Sequence, residues 1–482
     1  MSKGSCLDFL TEPNNTMSES QFVSSNDIRT RFSRAMSRMY REEVPQYGAL
    51  VQLVAEVNAQ TLAAEPGLAR QLNESGEIER LDVERHGAIR LGTATELATM
   101  RRLFAVMGME PVGYYELSVA GVPVHSTAFR PVADAALMAN PFRVFTSLLR
   151  LELIADEALR TQAASILERR RIFTEGALAL IERFEKAGGL TSTEADEFVA
   201  EALQTFRWHA EATVDAETYD KLQQAHRLIA DVVCFKGPHI NHLTPRTLDI
   251  DAAQAAMPRY GITAKESIEG PPRRRCAILL RQTSFKALEE KVLFQGGDGQ
   301  RSGTHTARFG EIEHRGMALT RAGRQRYDQL LTEVRDGAVA NEDAEAYARR
   351  LALAFEAFPD DDDTLRREGL GFFRYVLTAQ GNSAVEATDF EPSSRKLEDL
   401  MAQGLVRAQP MVYEDFLPVS AAGIFQSNLG SVERKHYAAQ DDQAAFEAAL
   451  GAAVHDEIDL YAQAQARSIE QVCRAFQTPV SA

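Results

Sequence analysis

Apolar positions along this chain follow two periods, and the switches between them outline the fold. Phe32, Met36, Met39 and Tyr40 sit at i, i+4, i+7 and i+8, one face of a helix; Leu50, Val54 and Val57 resume the stripe after a break at residues 45–48. Residues 86–91 read as a short strand. Thr93-Ala-Thr-Glu96 has capping-box spacing. Leu97, Met100, Phe104 and Met107 then mark a helix ending near Gly108. Residues 112–117, 122–129 and 144–154 are rich in Val, Tyr, Phe and Leu, with turn residues Ala120-Gly121 and Asn140-Pro141 between them. The predicted order is β-α-β-β-β.

Residues 156–229 change character to alanine, glutamate, arginine and leucine, broken at Gly188-Gly189, which predicts a helical insertion. The earlier order then returns. Residues 239–246 are strand-like, 251–260 form a short helix closed by Gly261, and 262–269 and 276–284 are strand candidates. Residues 284–294 read as helix, 296–299 as a glycine loop, and 304–313 as the last strand. The final third is mostly helical, except for a small-residue apolar stretch within 413–428. The expected class is α+β: a duplicated β-α-β-β-β core with a helical insertion and a largely helical C-terminal region. The expected divisions are a disordered leader at 1–26, a first module at 27–155, the insertion at 156–235, a second module at 236–318, and a C-terminal region at 319–482 that closes the active site.

The duplication is visible in the residues. His86-Gly-Ala-Ile-Arg90 and His242-Leu-Thr-Pro-Arg246 share the phrase His-x-x-x-Arg at a separation of 242 − 86 = 156. Thr127-Ala-Phe129-Arg130 recurs as Thr283-Ser-Phe285-Lys286 at the same offset. Two histidines in matched positions predict a metal site between half-domains, and this register selects His242 over His239. Glu311 and Glu313 share a strand face, and Glu311 is the expected third ligand, with Glu152 as its counterpart in the first copy. Two histidines and a carboxylate leave coordination positions open, which suits Fe(II) with a bidentate 2-oxo acid and O2; zinc and manganese accept the same donor types. Arg90 lies four residues beyond His86, on the same strand face, and a guanidinium grips a carboxylate as a fork. Arg246 repeats the relation, with Pro245 as a distortion. A structural ion pair is the competing reading for either arginine. His305 is expected either behind the ligands or as a loop histidine.

Composition narrows the partners. Lys and Arg number 53 against 69 Asp and Glu, a net charge of −16, which disfavours nucleic acid. Arg273-Arg274-Arg275 reads as a solvated turn more than an anion site, and residues 360–363 as a solvated acidic turn. No apolar stretch approaches the ~20 residues that span a bilayer, and the first residues lack the apolar core of a signal peptide. Four widely spaced cysteines fit reduced thiols in a cytoplasm. The oligomeric state is not legible.

Five phrases carry a family resemblance: Val83-Glu-Arg-His86-Gly-Ala-Ile-Arg90, Val122-Pro-Val-His-Ser-Thr-Ala-Phe-Arg-Pro131, His239-Ile-Asn-His242-Leu-Thr-Pro-Arg246, Phe309-Gly-Glu311-Ile-Glu313 and Phe416-Leu-Pro-Val-Ser-Ala-Ala-Gly-Ile-Phe425. Together they resemble the 2-oxoadipate dioxygenase/decarboxylase (hydroxyglutarate synthase) family of the vicinal-oxygen-chelate superfamily, over residues 27–471. The resemblance implies an Fe(II) enzyme of lysine breakdown that converts 2-oxoadipate and O2 to (R)-2-hydroxyglutarate and CO2. It implies His86, His242 and Glu311 as iron ligands, Arg90 on a substrate carboxylate, substrate contacts from Val419 and Ser420, and Gln282 as a further contact. The ligand types also allow a zinc or manganese isomerase or lyase of the same superfamily. Chain length of the diacid is not readable, because one methylene changes binding by only ~1–3 kcal/mol.

Overall fold

The computed structural model describes residues 22–285, 287–296, 301–306, 308–337, 343–387, 396–417 and 442–476. It opens with helices α1 (Ser25–Glu43) and α2 (Pro45–Ala64). Ser24 caps α1 by accepting from Asp27 N at 3.1 Å, and the stripe of Phe32, Met36, Met39 and Tyr40 is buried as expected. The break falls at Val44, and Pro45 opens α2 in a first turn that does not need its missing N–H. Residues 22–26, expected in the leader, belong to the fold, with Val23 bridged to Leu190 and Ser25 already helical; residues 1–21 lie outside the described residues.

Short helices α3 (Pro66–Glu74) and α4 (Glu77–Leu81) lead into the predicted order: β1 (Arg85–Leu91), α5 (Ala94–Val106), β2 (Glu110–Glu116), β3 (Val124–Arg130), a short α6 (Asp134–Ala139) and β4 (Arg143–Leu149). Thr93 caps α5 by accepting from Glu96 N, but the Glu96 carboxylate turns to Gly92 N (2.7 Å) and Arg170. The last strand ends at Leu149. Glu152 lies in a 3-10 turn and pairs with Arg150, so it has no place on the strand expected to carry it.

The insertion comprises α7 (Glu157–Arg169), α8 (Glu175–Ala187), α9 (Ser192–Gln204), α10 (Ala216–Ala225) and α11 (Arg227–Val233), interrupted by an unexpected strand, β5 (Glu211–Asp215). The second module departs further. Only β6 (Leu243–Pro245) is strand within 239–246; α12 (Ile250–Ala256) runs through a 3-10 turn to Gly261, at φ +70°. Residues 262–269 make isolated bridges, at Ala264 and Glu269, and β7 spans Leu280–Ser284. The expected helix at 284–294 is instead strand β8 (Glu289–Gln295), paired with β9 (Arg301–Thr306). Its glutamates, lysine and leucine favour helix intrinsically, but cross-strand pairing with buried Val292 and Phe294 overrides that preference. The expected last strand is two: β9 stops at Thr306, and β10 (Glu311–Arg315) begins after Gly310.

The C-terminal region holds α13 (Arg321–Asp336), α14 (Ala344–Ala354), α15 (Asp362–Arg367), α16 (Ala379–Glu386), α17 (Leu397–Ala402), α18 (Gln443–Leu450) and α19 (Glu457–Ala475), with an antiparallel pair, β11 (Phe373–Leu377) and β12 (Val406–Pro410). The acidic turn serves the backbone: Asp361 caps α15, and Asp360 accepts from Arg275 N and Cys276 N. Arg274 donates to the Phe355, Phe358 and Pro359 carbonyls.

The molecule is mixed α+β. Its main sheet runs β2-β3-β4-β1-β6, with β1 parallel to β4 and antiparallel to β6. An antiparallel β7-β10 pair continues beyond β6 through a parallel bridge between Arg246 and Glu313. The registers of the two modules correspond. Arg90 opposes Ser147 in the first, and Arg246 opposes Glu313 in the second; Thr127 opposes Thr146, and Thr283 opposes Ile312. The offset is therefore 156 at the first and middle strands and 312 − 146 = 166 at the last. The added residues are spent in the β8–β9 excursion. Phe145, not Glu152, occupies the position that corresponds to Glu311.

Candidate metal centre

β1 is buried along its whole length, so both of its faces are specified. His86, Ala88 and Arg90 alternate onto one face, while Ile89 and Leu91 pack into the core on the other with α1, α2 and α5. Gly87 lets the second module come close. A Cβ there would sit 2.5 Å from Ile240 Cδ1 and 2.8 Å from the His242 carbonyl oxygen. Asn241 N donates to Ala88 O at 2.9 Å, and Leu243 pairs with Gly87. His242 thus arrives beside His86 on an extended segment that reaches strand geometry only at Leu243. The rings lie edge to face, with centroids 5.3 Å apart.

β10 supplies the carboxylates. Gly310 allows its approach, since a Cβ there would lie 2.0 Å from Phe285 Cε1. Tyr40 of α1 ties together the segments that carry His242 and Glu311: its hydroxyl lies 2.7 Å from Phe309 O and 3.0 Å from Asn241 O. Nothing in the local sequence pointed to Tyr40 beyond its place on an apolar stripe.

One ligand-capable atom from each of His86, His242 and Glu311 falls within 4.8 Å of the others, and all three side chains are buried. His86 Nε2 is 3.0 Å from Glu311 Oε1, and its Nδ1 is 2.8 Å from Glu313 Oε2. Gln282 Nε2 donates to Glu311 Oε1 at 2.6 Å and Thr244 Oγ1 at 3.3 Å. Glu311 Oε2 and His242 Nδ1 are buried with no hydrogen-bond partner among the described residues. Unpaired buried polar atoms are costly, and two of them converging beside His86 are what an ion would satisfy. Phe416, Phe309 and Phe145 wall the centre: Phe416 is 5.0 Å from the His86 ring and 5.4 Å from Phe145, and Phe309 is 4.8 Å from His242.

The electrostatics separate the two histidines. Burial alone would lower the His86 pKa, but Glu313 and the hydrogen bonds to Glu311 and Glu313 more than offset it, and the pKa is raised. Burial, with the nearby His86 and Arg90 charges, holds His242 well below the ordinary value, so it is neutral. Glu313 is missing from the sequence-level site yet holds His86 directly. Burial would raise its pKa, but Arg315, His86 and Arg143 bring it down to about 2. Arg315 grips Glu313 as a fork, at 2.8 and 2.7 Å. The same charges extend outward through Glu84, which accepts from Arg80, Arg143 and Arg246, to Glu414 and Asp415 just before Phe416.

Arg90 and Arg246 diverge despite their matched phrase. Arg90 donates Nη1 to Asp231 Oδ2 at 2.7 Å on the His86 side of β1. Arg246 is held by Glu84 and Glu77, at 3.2 and 2.9 Å, and lines a separate crevice of about 300 Å³; both arginines are thus in ion pairs, Arg90 with Asp231. His305 is buried on Tyr219 and Asp231 rather than in a loop. Val419 and Ser420 lie outside the described residues, as does Lys286 of the repeat. Among the described residues, no helix is long and apolar enough to cross a membrane.

Comparison with known proteins shows the family of the chain. Residues 32–428 match the 2-oxoadipate dioxygenase/decarboxylase family. The chain is 58% identical over 463 residues to the 2-oxoadipate dioxygenase/decarboxylase of Pseudomonas putida, covering 95% of this chain and 99% of that one. Its similarity to the protein of the same name from Escherichia coli is 57% over 446 residues, covering 92% and 98%. The solved structure of hydroxyglutarate synthase from Pseudomonas putida in complex with 2-oxoadipate superimposes with a TM-score of 0.87 at 56% identity, covering 95% of this chain and 100% of that one. The chain belongs to the 2-oxoadipate dioxygenase/decarboxylase family.

Proposed function

We propose that this chain converts 2-oxoadipate and O2 to (R)-2-hydroxyglutarate and CO2, with Fe(II) held by His86, His242 and Glu311. The observation that carries the reading is the buried convergence of those three side chains, in a chain similar throughout to a protein crystallised with 2-oxoadipate. The donors fit an ion. Neighbouring ligands ~2.1 Å from a common metal are separated by about the 3.0 Å found between His86 Nε2 and Glu311 Oε1. Two histidines and one carboxylate leave open positions, and ferrous iron bound there supplies chelation of the 2-oxo acid and activation of O2.

The residues around the ion have separate tasks. Glu313 Oε2, 2.8 Å from His86 Nδ1, pairs with that nitrogen and leaves Nε2 for the metal. Gln282 and Thr244 donate to Glu311 Oε1 and orient its carboxylate; this assigns Gln282 to positioning a ligand, besides the substrate contact expected of it. Phe145, Phe309 and Phe416 exclude bulk water, so that the reacting centre is dry. Arg90 takes the far carboxylate of the diacid, and Val419 and Ser420 complete the substrate's surroundings. In the overall reaction C1 leaves as CO2. One atom of O2 enters the new carboxylate at C2, and the other becomes the hydroxyl on the adjacent carbon.

The matched registers support reading the core as a duplicated half-barrel of vicinal-oxygen-chelate type. In that reading, Phe145 takes the place of a carboxylate in the first copy, and only the second copy supplies one. The widely spaced cysteines, of which Cys234, Cys276 and Cys473 are unpaired, support a cytoplasmic setting. Protein reconstituted anaerobically with Fe(II), then given 2-oxoadipate and O2, is expected to consume O2 and release CO2 and hydroxyglutarate in equal amounts. Equal turnover without O2 would overturn the oxygenase reading.

A further inference from the structure

Arg90, Asp231, His239, His305 and Tyr219 form a second buried polar cluster, separate from the metal ligands. It gathers from five parts of the chain: β1, α11, the segment before β6, β9 and α10. Asp231 is its hub. Oδ2 accepts from Arg90 Nη1 at 2.7 Å, while Oδ1 lies 3.0 Å from His305 Nε2 and 3.3 Å from His239 Nε2. His305 Nδ1 is 2.8 Å from the Tyr219 hydroxyl. Asp231, His239 and His305 are 5%, 2% and 4% exposed. Trp208 packs edge-on against His239 at 4.7 Å, and Phe235 lies 4.7 Å from His305. Two histidines outside the metal centre are thus fastened to the acid that holds Arg90.

We infer that Asp231 is a positioning residue that, braced by His305 and His239, aims the Arg90 guanidinium at the far carboxylate of the diacid and so sets the preference for diacids over 2-oxo monoacids. This rests on the reading of Arg90 as the carboxylate clamp. An arginine on a flexible stem loses side-chain freedom when it grips a ligand. A fixed counter-ion at one nitrogen pre-organises the fork, so less is lost on binding. Asp231 is suited to the task. Burial would raise its pKa, but His239, His305 and Arg90 keep it well below the ordinary range, and it stays anionic. The placement also gives the helical insertion and the β8–β9 excursion a purpose, since α11 and β9 bring Asp231 and His305 to β1.

The test compares anaerobic binding of 2-oxoadipate and of 2-oxohexanoate, which lacks the far carboxylate, to the Fe(II)-loaded protein by calorimetry, with KM and kcat alongside. Arg90→Gln is expected to abolish the diacid preference; if the preference survives, the clamp reading itself fails. Asp231→Asn is expected to weaken 2-oxoadipate binding on the order of tenfold or more, chiefly in KM, and to leave 2-oxohexanoate binding within about threefold. In the Arg90→Gln background, Asp231→Asn is expected to add no further diacid loss. His305→Phe removes two hydrogen bonds without stranding a charge, so it tests the hub if Asp231→Asn folds poorly; a several-fold loss confined to the diacid is expected. Equal loss for both acids, or no loss in either Asp231→Asn or His305→Phe while Arg90→Gln is impaired, would overturn the positioning role.

Discussion

His86 Nδ1 lies 2.8 Å from Glu313 Oε2 while its Nε2 faces Glu311 Oε1 at 3.0 Å, so two carboxylates of one strand divide the two nitrogens of one ring between them. Glu313 holds the ring, and in the proposed centre Glu311 would share the metal with it. Glu313→Gln keeps the shape but removes the charge. It is expected to weaken Fe(II) affinity by about 10–100-fold, measured by competition against a chelator of known strength. Unchanged affinity would remove Glu313 from the centre.

Gly87 marks where the second module crosses β1. Gly87→Ala would push a methyl into the Ile240 side chain and the His242 carbonyl, a crowding that costs about 1–3 kcal/mol. The variant is expected to fold with a lowered melting temperature and to lose Fe(II) affinity, because the displaced segment carries His242. Gly67→Ala meets nothing within 4 Å and serves as the control.

Arg130 and Asp415 form a buried fork at 2.6 and 3.0 Å, with Tyr461 alongside, which anchors the chain just before Phe416. Asp415→Ala strands the guanidinium and is expected to cost about 3–5 kcal/mol, read from denaturant unfolding. The double variant Arg130→Met/Asp415→Leu is expected to be less damaging than the single one.

His125 predicts an acid sensitivity away from the metal. Burial, together with Arg150, brings its pKa from 6.5 to about 4 in the fold. Above pH 6.5 it is neutral in both folded and unfolded chains. Between pH 6.5 and 4 the unfolded chain binds a proton that the fold does not, so stability falls as pH falls, by about 2 kcal/mol at pH 5. His125→Phe keeps a ring against Phe446, 4.8 Å away, and is expected to show a smaller drop in melting temperature from pH 7 to pH 5. An identical drop would mean that other groups govern the acid limb.

The convergence of His86, His242 and Glu311 was legible because the two histidines open the same phrase at matched positions, which carries more geometry than a lone histidine. The carboxylate's counterpart was misread: the β8–β9 excursion changes the offset from 156 to 166 between β7 and β10, which a constant register cannot reveal. β8 itself is built from helix-forming residues, and only its partner strand overrules them. Glu313 was visible as a neighbour of Glu311 but not as the brace of His86. Asp231 had no local signal at all, since its environment is assembled from five distant parts of the chain. The likeness of Arg90 and Arg246 in sequence conceals opposite surroundings: one faces Asp231 beside the centre, the other Glu84 and Glu77 away from it.

A single turnover of the Fe(II)-loaded protein with 2-oxoadipate under isotopically labelled O2 tests the central claim most directly. Both labelled atoms are expected in the same hydroxyglutarate molecule, one in a carboxylate and one in the hydroxyl, with none in CO2. The Glu311→Ala and His86→Ala proteins are expected to give no product while remaining folded. A hydroxyl oxygen drawn from water in every product molecule, or undiminished turnover in either variant, would contradict the assignment of oxygen chemistry to an ion held by His86, His242 and Glu311.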